Sequence, residues 1–277
     1  MITRRSTVIT TAAIIAAAIL LGLPVLWMAV SAVLPRVALL DPGYVIIPDF
    51  SQVDLSVFIG AATDPQVLNW IGNSALITVV STAIGLGVSI PAGYSLSRFK
   101  VRGQGVMGLG LLLNLMLPGT LLVLPLFVMF SSYHLINNKF AVAATIATTV
   151  IPFSTWMMKA FFDSVPRSLE EAAALDGCSR AGAFVRIVLP ISKPAIAAVT
   201  AYSVIWSWSD FLFPKTLLTS QDQWPVTVGI VSFIGEYTTN WGGFMATGLL
   251  SALPLMIVFF LLEPWLVSGF GAGAVRE

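Results

Sequence analysis

Glu170, Glu171 and Asp176 form the one carboxylate cluster of this chain. They lie in the polar stretch 164–194, SVPRSLEEAAALDGCSRAGAFVRIVLPISKP. Paired carboxylates can act as general acid and base, but acids in a helix's first turn are equally explained by capping and by the helix dipole. His134 is the single histidine and Cys178 the single cysteine. Neither a CxxC nor an HExxH metal site can form, and an internal disulfide is impossible. A phosphate cradle of the form GxxxxGK followed by Ser or Thr is absent. An enzyme at the membrane would need a nucleophile with its base, paired carboxylates or a metal set. The sequence supplies none that capping does not already explain.

The cluster sits on a helix that its own neighbours specify. Ser168 followed by Glu171 reads as a capping box that starts a helix over 169–176. Gly177 can take the left-handed conformation that ends it. Ser179 can cap a second helix with Ala181, Phe184, Ile187 and Val188 at helical spacing, and Pro190 is expected to stop it. The pattern predicts a short helix held out by its turn and braced by a second one. It fits either a loop that packs on its own bundle or a docking surface for a partner.

Everything around this hairpin is apolar. The chain is 57% hydrophobic and only 10% charged, with mean hydropathy +0.92. Soluble domains carry roughly 25% charged residues, so this is a membrane protein by composition, and its apolar spans make the expected fold class all-α. Spanning a hydrocarbon core takes roughly 20 apolar residues. Six spans are expected near 8–33, 69–97, 104–130, 140–162, 195–217 and 241–268, forming one transmembrane domain over 1–277 with the hairpin 164–194 outside the bilayer. Pro24, Pro91, Pro118, Pro125, Pro152 and Pro254 fall within them, as bundles tolerate.

Flanking charge sets the orientation. With the N-terminus inside, the inner segments hold Arg4, Arg5, Arg98, Lys100, Arg102, Lys159, Arg167, Arg180, Arg186, Lys193 and Arg276, and the outer ones only Arg36, Lys139 and Lys215. This excess predicts that both termini and the hairpin are cytoplasmic. The net charge of +1 leaves no basic patch for nucleic acid. Arg4 and Arg5 before an apolar run could pass for a signal peptide, yet the run reaches Val33, too long for a signal core. Ion-coupled secondary transport would require ionisable groups or broken helices at the midplane and an internal repeat. Asp210, Lys215 and Glu263 lie toward span ends instead, and no repeat is evident. A passive channel would leave both the hairpin and the outer aromatic segment unexplained.

Glu171-Ala172-Ala173, Asp176-Gly177, Phe184, Ile187, Leu189-Pro190 and Pro194 resemble the EAA loop of binding-protein-dependent ABC importer permeases, with Cys178 where that family more often has alanine. The segments 209–214, 224–229 and 271–276 are similar to the carbohydrate-importing branch, the maltose-type second permease in particular. The resemblance runs over nearly the whole chain. It implies a six-transmembrane-helix ABC importer permease fold with a cytoplasmic coupling-helix hairpin, in the inner membrane of a bacterium or archaeon. The implied partners are a second permease subunit, an ATPase dimer that binds ATP and Mg, an extracytoplasmic sugar-binding protein, the carbohydrate and surrounding lipid. This chain itself would hold no cofactor and no metal.

The same resemblance assigns roles. Glu170, Glu171, Ala172, Ala173, Asp176, Gly177, Arg180, Phe184, Leu189 and Pro190 would couple to the ATPase. Gly271, Gly273 and Val275 would dock the C-terminal tail along it, although a glycine-rich end also reads as frayed. Asp222, Trp224, Glu236 and Tyr237, in the external segment 219–240, would touch the binding protein, although such aromatics also form interfacial belts. The external segment 35–68, with Asp41, Asp49, Asp54 and Asp64, could add docking surface. Aromatic faces suit sugar C–H groups, and hydroxyls need amide or carboxylate partners. Asn114, Trp156, Trp206, Trp208 and Asp210 are therefore candidates for the substrate path, with anchoring and packing as the alternative for each.

Overall fold

In lipid a long apolar run satisfies its own backbone groups by forming an α-helix, and the computed structural model is built almost wholly of helices. It describes residues 4–34, 53–99, 103–235 and 237–273. In chain order these include α1 (Arg4–Val33), α2 (Ser56–Thr63), α3 (Pro65–Arg98), α4 (Gln104–Met116), α5 (Gly119–Ser132), α6 (Lys139–Ser164), α7 (Ser168–Leu175), α8 (Arg180–Ile191), α9 (Lys193–Ser209), α10 (Leu212–Leu217) and α11 (Trp241–Gly273). Among the described residues there is no strand, only one bridge between Ile234 and Thr239. Among the described residues four helical stretches are long and apolar enough to cross a membrane: Thr10–Val33, Pro65–Arg98, Lys139–Ser164 and Trp241–Val267. The count reaches six when each of two bent pairs is taken as one span.

One of the two bends departs from the straight third span expected near 104–130, while the other falls where the expected hairpin 164–194 meets the fifth span. α4 and α5 meet at 96° across Leu117 and Pro118. Pro118 lacks the amide that would continue the ladder, and it biases Leu117 away from helical geometry. α8 and α9 meet at 75° around Ser192. The fifth expected span also ends early: α9 stops at Ser209, and α10 begins only after Asp210 and Phe211.

The chain forms two compact units, Met1–Asn69 with Gly229–Leu253, and Trp70–Val228 with Pro254–Glu277. In the first, α1 is apolar all round and leaves Ile19, Leu20 and Leu21 exposed, the surface of a helix meant for lipid. Its far end is tied down. Ala32, Ala61 and Ala246 pack together with Phe58 and Met245 around them. The Asp54 and Asp64 carboxylates accept from Ser56 and Gln66 amides at 2.8 and 2.7 Å, opening α2 and α3.

In the second unit α3, α6 and α9 carry the core. One cluster gathers Ile77, Val142, Ile146, Phe213 and Leu217, and another gathers Met158, Phe162, Val188 and Val199. Gly93 lets α3 and α6 close up. A Cβ there would come within 2.8 Å of the Met158 Cβ and 2.9 Å of the Lys159 amide nitrogen, the small-residue packing that membrane helices use in place of a hydrophobic driving force.

Candidate functional site

The hairpin is anchored by Glu170 rather than by a capping box. Arg167, not Ser168, occupies the position before α7, and no side chain caps it. Pro166 and Arg167 open the first turn instead, with the Glu170 amide donating to the Arg167 carbonyl at 3.0 Å. Proline presets helical φ at such a start, so the serine hydroxyl is not needed. The Glu170 carboxylate accepts from Arg98 Nε at 2.5 Å and from the Tyr94 hydroxyl at 2.5 Å. Arg98 also donates to the Val165 carbonyl at 3.0 Å, and Arg167 to the Ser97 carbonyl at 2.9 Å. The Arg98 and Glu170 side chains are 8% and 17% exposed, so this ion pair is screened far less than a surface one. Four bonds thereby fasten the start of the hairpin to the end of α3.

The turn follows the expected chemistry. Gly177 has φ +81°. The Cys178 amide reaches the Ala173 carbonyl at 2.9 Å and the Gly177 amide reaches Ala174 at 3.1 Å, the paired bonds of a Schellman ending. The Ser179 hydroxyl then accepts from the Gly182 amide at 3.1 Å and caps α8. Pro190 does not stop this helix, contrary to expectation. Phe184–Val188 widen into a π-turn, the Leu189 amide reaches back to the Phe184 carbonyl, and the helix continues to Ile191. A proline ring clashes with the carbonyl four residues back and leaves it without a donor; a wide turn just ahead of it accommodates both.

These contacts sort the expected coupling residues into two sets. Ala173 is buried, while Glu170, Phe184 and Leu189 are half-buried. The Phe184 ring lies 4.4 Å from Tyr94 and 6.3 Å from Phe162, so it braces the hairpin on α3 and α6. Glu171, Ala172, Asp176, Gly177, Arg180 and Pro190 face outward, with the Arg180 guanidinium 5.8 Å over the Phe99 ring. Sequence reading missed Leu175, which is 90% exposed at the tip. Its signal was there: two positions from Ala173 on a helix is nearly the opposite face. It also missed Tyr94 and Arg98 as anchors, although they stand one turn apart at the end of a span.

The other assigned residues separate as well. Trp224 is half-buried and latched, its indole N–H donating to the Leu218 carbonyl at 3.0 Å and Lys215 Nζ lying 5.0 Å from its ring. Asn73, itself held by Lys139 at 2.8 Å, donates to the Asp222 and Trp224 carbonyls at 2.8 and 2.9 Å. Asp222 is exposed beside it. Tyr237 is exposed in the other unit. Glu236, Val275, Asp41 and Asp49 lie outside the described residues, while Gly271 and Gly273 are still within α11.

Of the path candidates, Asn114, Trp206 and Asp210 line one cavity of about 360 Å³ at the α4–α5 bend, together with Thr149 and Tyr202. Trp156 stands lower on α6, its ring 5.8 Å from Lys159 Nζ. Trp208 is buried in the core. Among the described residues no three His, Cys, Asp or Glu side chains come together as metal ligands would.

Residues 83–271, which include the hairpin and the cavity, match the family model described as the binding-protein-dependent transport system inner membrane component. The inner membrane ABC transporter permease protein YcjP of Escherichia coli (strain K12) is 31% identical over 76% of this chain and 75% of its own length. The arabinooligosaccharides transport system permease protein AraQ of Halalkalibacterium halodurans is 29% identical over 91% of this chain and 90% of its own. The maltodextrin transport system permease protein MdxG of Bacillus subtilis (strain 168) is 31% identical over 76% of each. In fold, the chain is similar to a solved bacterial ABC transporter involved in the import of the acidic polysaccharide alginate, with TM-score 0.77 at 20% identity, covering 95% of this chain and 98% of that one.

Proposed function

The chain belongs to the family of binding-protein-dependent transport system inner membrane components, the multi-pass permease subunits of ABC importers, and on that premise we propose that it forms half of the translocation path for a carbohydrate. The cargo follows from the relatives, whose names give arabinooligosaccharides, maltodextrin and diacetylchitobiose. The observation that carries the mechanism is the anchored hairpin. A permease without a nucleotide site takes its work from contact with an ATPase, and this hairpin is polar, preformed and outward-facing at Glu171 and Leu175.

In this reading the hairpin and both termini are cytoplasmic, and Glu171, Ala172, Leu175 and Asp176 meet the ATPase subunit, which binds ATP and Mg. Closure of the ATPase dimer pulls α7. The Glu170–Arg98–Tyr94 anchor passes that displacement to α3, and the Phe184 brace passes it to α6. Binding energy is thereby spent on biasing a two-state bundle between inward- and outward-open forms. Asp222 is offered to the binding protein by a loop that Asn73 and Trp224 hold in place. The second permease supplies the other half of the path.

The test is purification of the tagged chain from membranes. A second permease and an ATPase should come with it, and hydrolysis of ATP should rise when the sugar-loaded binding protein is added. A chain that purifies without any ATPase and sustains sugar uptake in vesicles lacking ATP would overturn the reading in favour of ion coupling.

A further inference from the structure

We propose that the cavity at the α4–α5 bend is a subsite for an uncharged sugar ring, with Tyr202 and Trp206 as its stacking face and Asn114 and Asp210 as hydroxyl partners. The proposal rests on the carbohydrate reading and deepens it.

The stacking face is built. Tyr202 and Trp206 stand one turn apart on α9, their ring centroids 5.9 Å apart and their planes only 31° from parallel. Phe153 extends the same surface from α6, 4.3 Å from Tyr202. Trp206 is 49% exposed although its helix packs on α6, and its indole N–H is fixed by Thr149 Oγ1 at 3.0 Å. A large ring kept open and held in one orientation suits a flat apolar face such as the C–H side of a pyranose.

The polar groups around this face are aimed but unused. One oxygen of Asp210 accepts from the Phe213 amide at 3.1 Å, which fixes the carboxylate at the start of α10. Its other oxygen has no partner among the described residues, nor does the Asn114 amide or the Tyr202 hydroxyl. The bend itself leaves the last carbonyls of α4 outside a continuing helix, an arrangement found at membrane depth only where backbone lines a cavity or is buried in protein. The volume lies within the range of small-molecule sites, roughly 300–1,000 Å³.

Charge then selects the cargo. The cavity lining has no Lys, Arg or His and one carboxylate. A hydroxyl can donate to Asp210, whereas a uronic acid would set a second carboxylate against it with no cation to compensate. The subsite therefore takes neutral sugars and disfavours acidic ones.

The experiment uses the assembled importer in proteoliposomes with its binding protein, and maltotriose, arabinotriose and diacetylchitobiose as neutral probes. If the wild type imports none of them, the carbohydrate reading fails and the subsite with it. If one is imported, Trp206→Ala should lower its import about tenfold, the order expected for losing one stacked ring, while hydrolysis stimulated by the loaded binding protein stays near wild type. Trp206→Phe keeps the ring face but loses the Thr149 bond, and it should restore most of the import. Unchanged import in Trp206→Ala, loss of stimulated hydrolysis with it, or a Phe variant as poor as the Ala variant would each make this indole a packing residue or a contact to the second permease, and would overturn the subsite.

A second arm leaves out the binding protein and follows the part of the tryptophan fluorescence that Trp206→Phe removes. The imported neutral probe should quench it in the wild type, a mannuronate trimer should not, and Asp210→Asn should be quenched by both. Equal quenching of the wild type by the acidic trimer would overturn the charge selection.

Discussion

The hairpin and the cavity use polar residues in opposite ways. In the hairpin nearly every anchoring group is spent inside the chain: Glu170 on Arg98 and Tyr94, Arg167 on Ser97, Ser179 on its own helix. Among the groups that remain outward are Glu171, Asp176 and the most exposed apolar side chain of the hairpin, Leu175. At the cavity the anchors are few, one oxygen of Asp210 and the Trp206 indole, while an amide, a hydroxyl and a second carboxylate oxygen have no partner among the described residues. A lever must be stiff toward its own bundle and offer a face to its driver. A passage must hold its partners loosely enough for cargo to enter and leave. Under the proposed function, the distribution of satisfied and unsatisfied groups matches these two tasks within one chain.

Disrupting the stiff region should do the most damage. A Cβ added at Gly177 meets no neighbour within 4 Å, so the cost of Gly177→Val comes chiefly from forcing a β-branched residue to φ +81°. Such strain costs about 1–3 kcal/mol, and relaxing the turn swings α7 off its anchor. Uptake should fall below about a tenth of wild type with the amount of chain in the membrane unchanged. Normal uptake at normal expression would remove the hairpin from the mechanism.

Much of this contrast was legible in the residues. The Gly177 turn and the Ser179 cap follow from local chemistry and appear as expected. The capping box at Ser168 and Glu171 did not form because Pro166 starts the turn by itself. The stop at Pro190 failed because the π-turn at Phe184–Val188 absorbs the proline. Arg98 and Glu170 stand far apart in sequence, and no local pattern pairs them; Arg98 reads only as an inside charge. The same holds for the cavity. Asn114, Trp206 and Asp210 were marked by type, but Thr149 joins them only because α6 packs on α9, with Tyr202 one turn from Trp206.

The next largest effects should split the two neighbouring glutamates. Glu170→Ala leaves Arg98 nearly buried without its carboxylate, the costly way to break such a pair. The assembled complex should unfold at a lower temperature and lose most of its uptake. Glu171→Gln removes an exposed charge that no bond among the described residues uses, so thermal unfolding should be unchanged while stimulation of hydrolysis by the loaded binding protein is lost. Equal thermal loss in both variants would erase the distinction between anchor and contact. Wild-type stimulation in Glu171→Gln would leave the coupling to the shape of the tip, not to this carboxylate.

The central claim is that the outward tip of the hairpin touches the ATPase, and site-specific photo-crosslinking from position 175 tests it most directly. With a benzophenone amino acid in place of Leu175, irradiated membranes should yield a covalent adduct between this chain and the ATPase subunit, identified by mass spectrometry. The same probe at Leu20, on the lipid-exposed face of α1, should give none. An adduct from position 175 to the binding protein or to lipid alone, with uptake intact, would contradict the account.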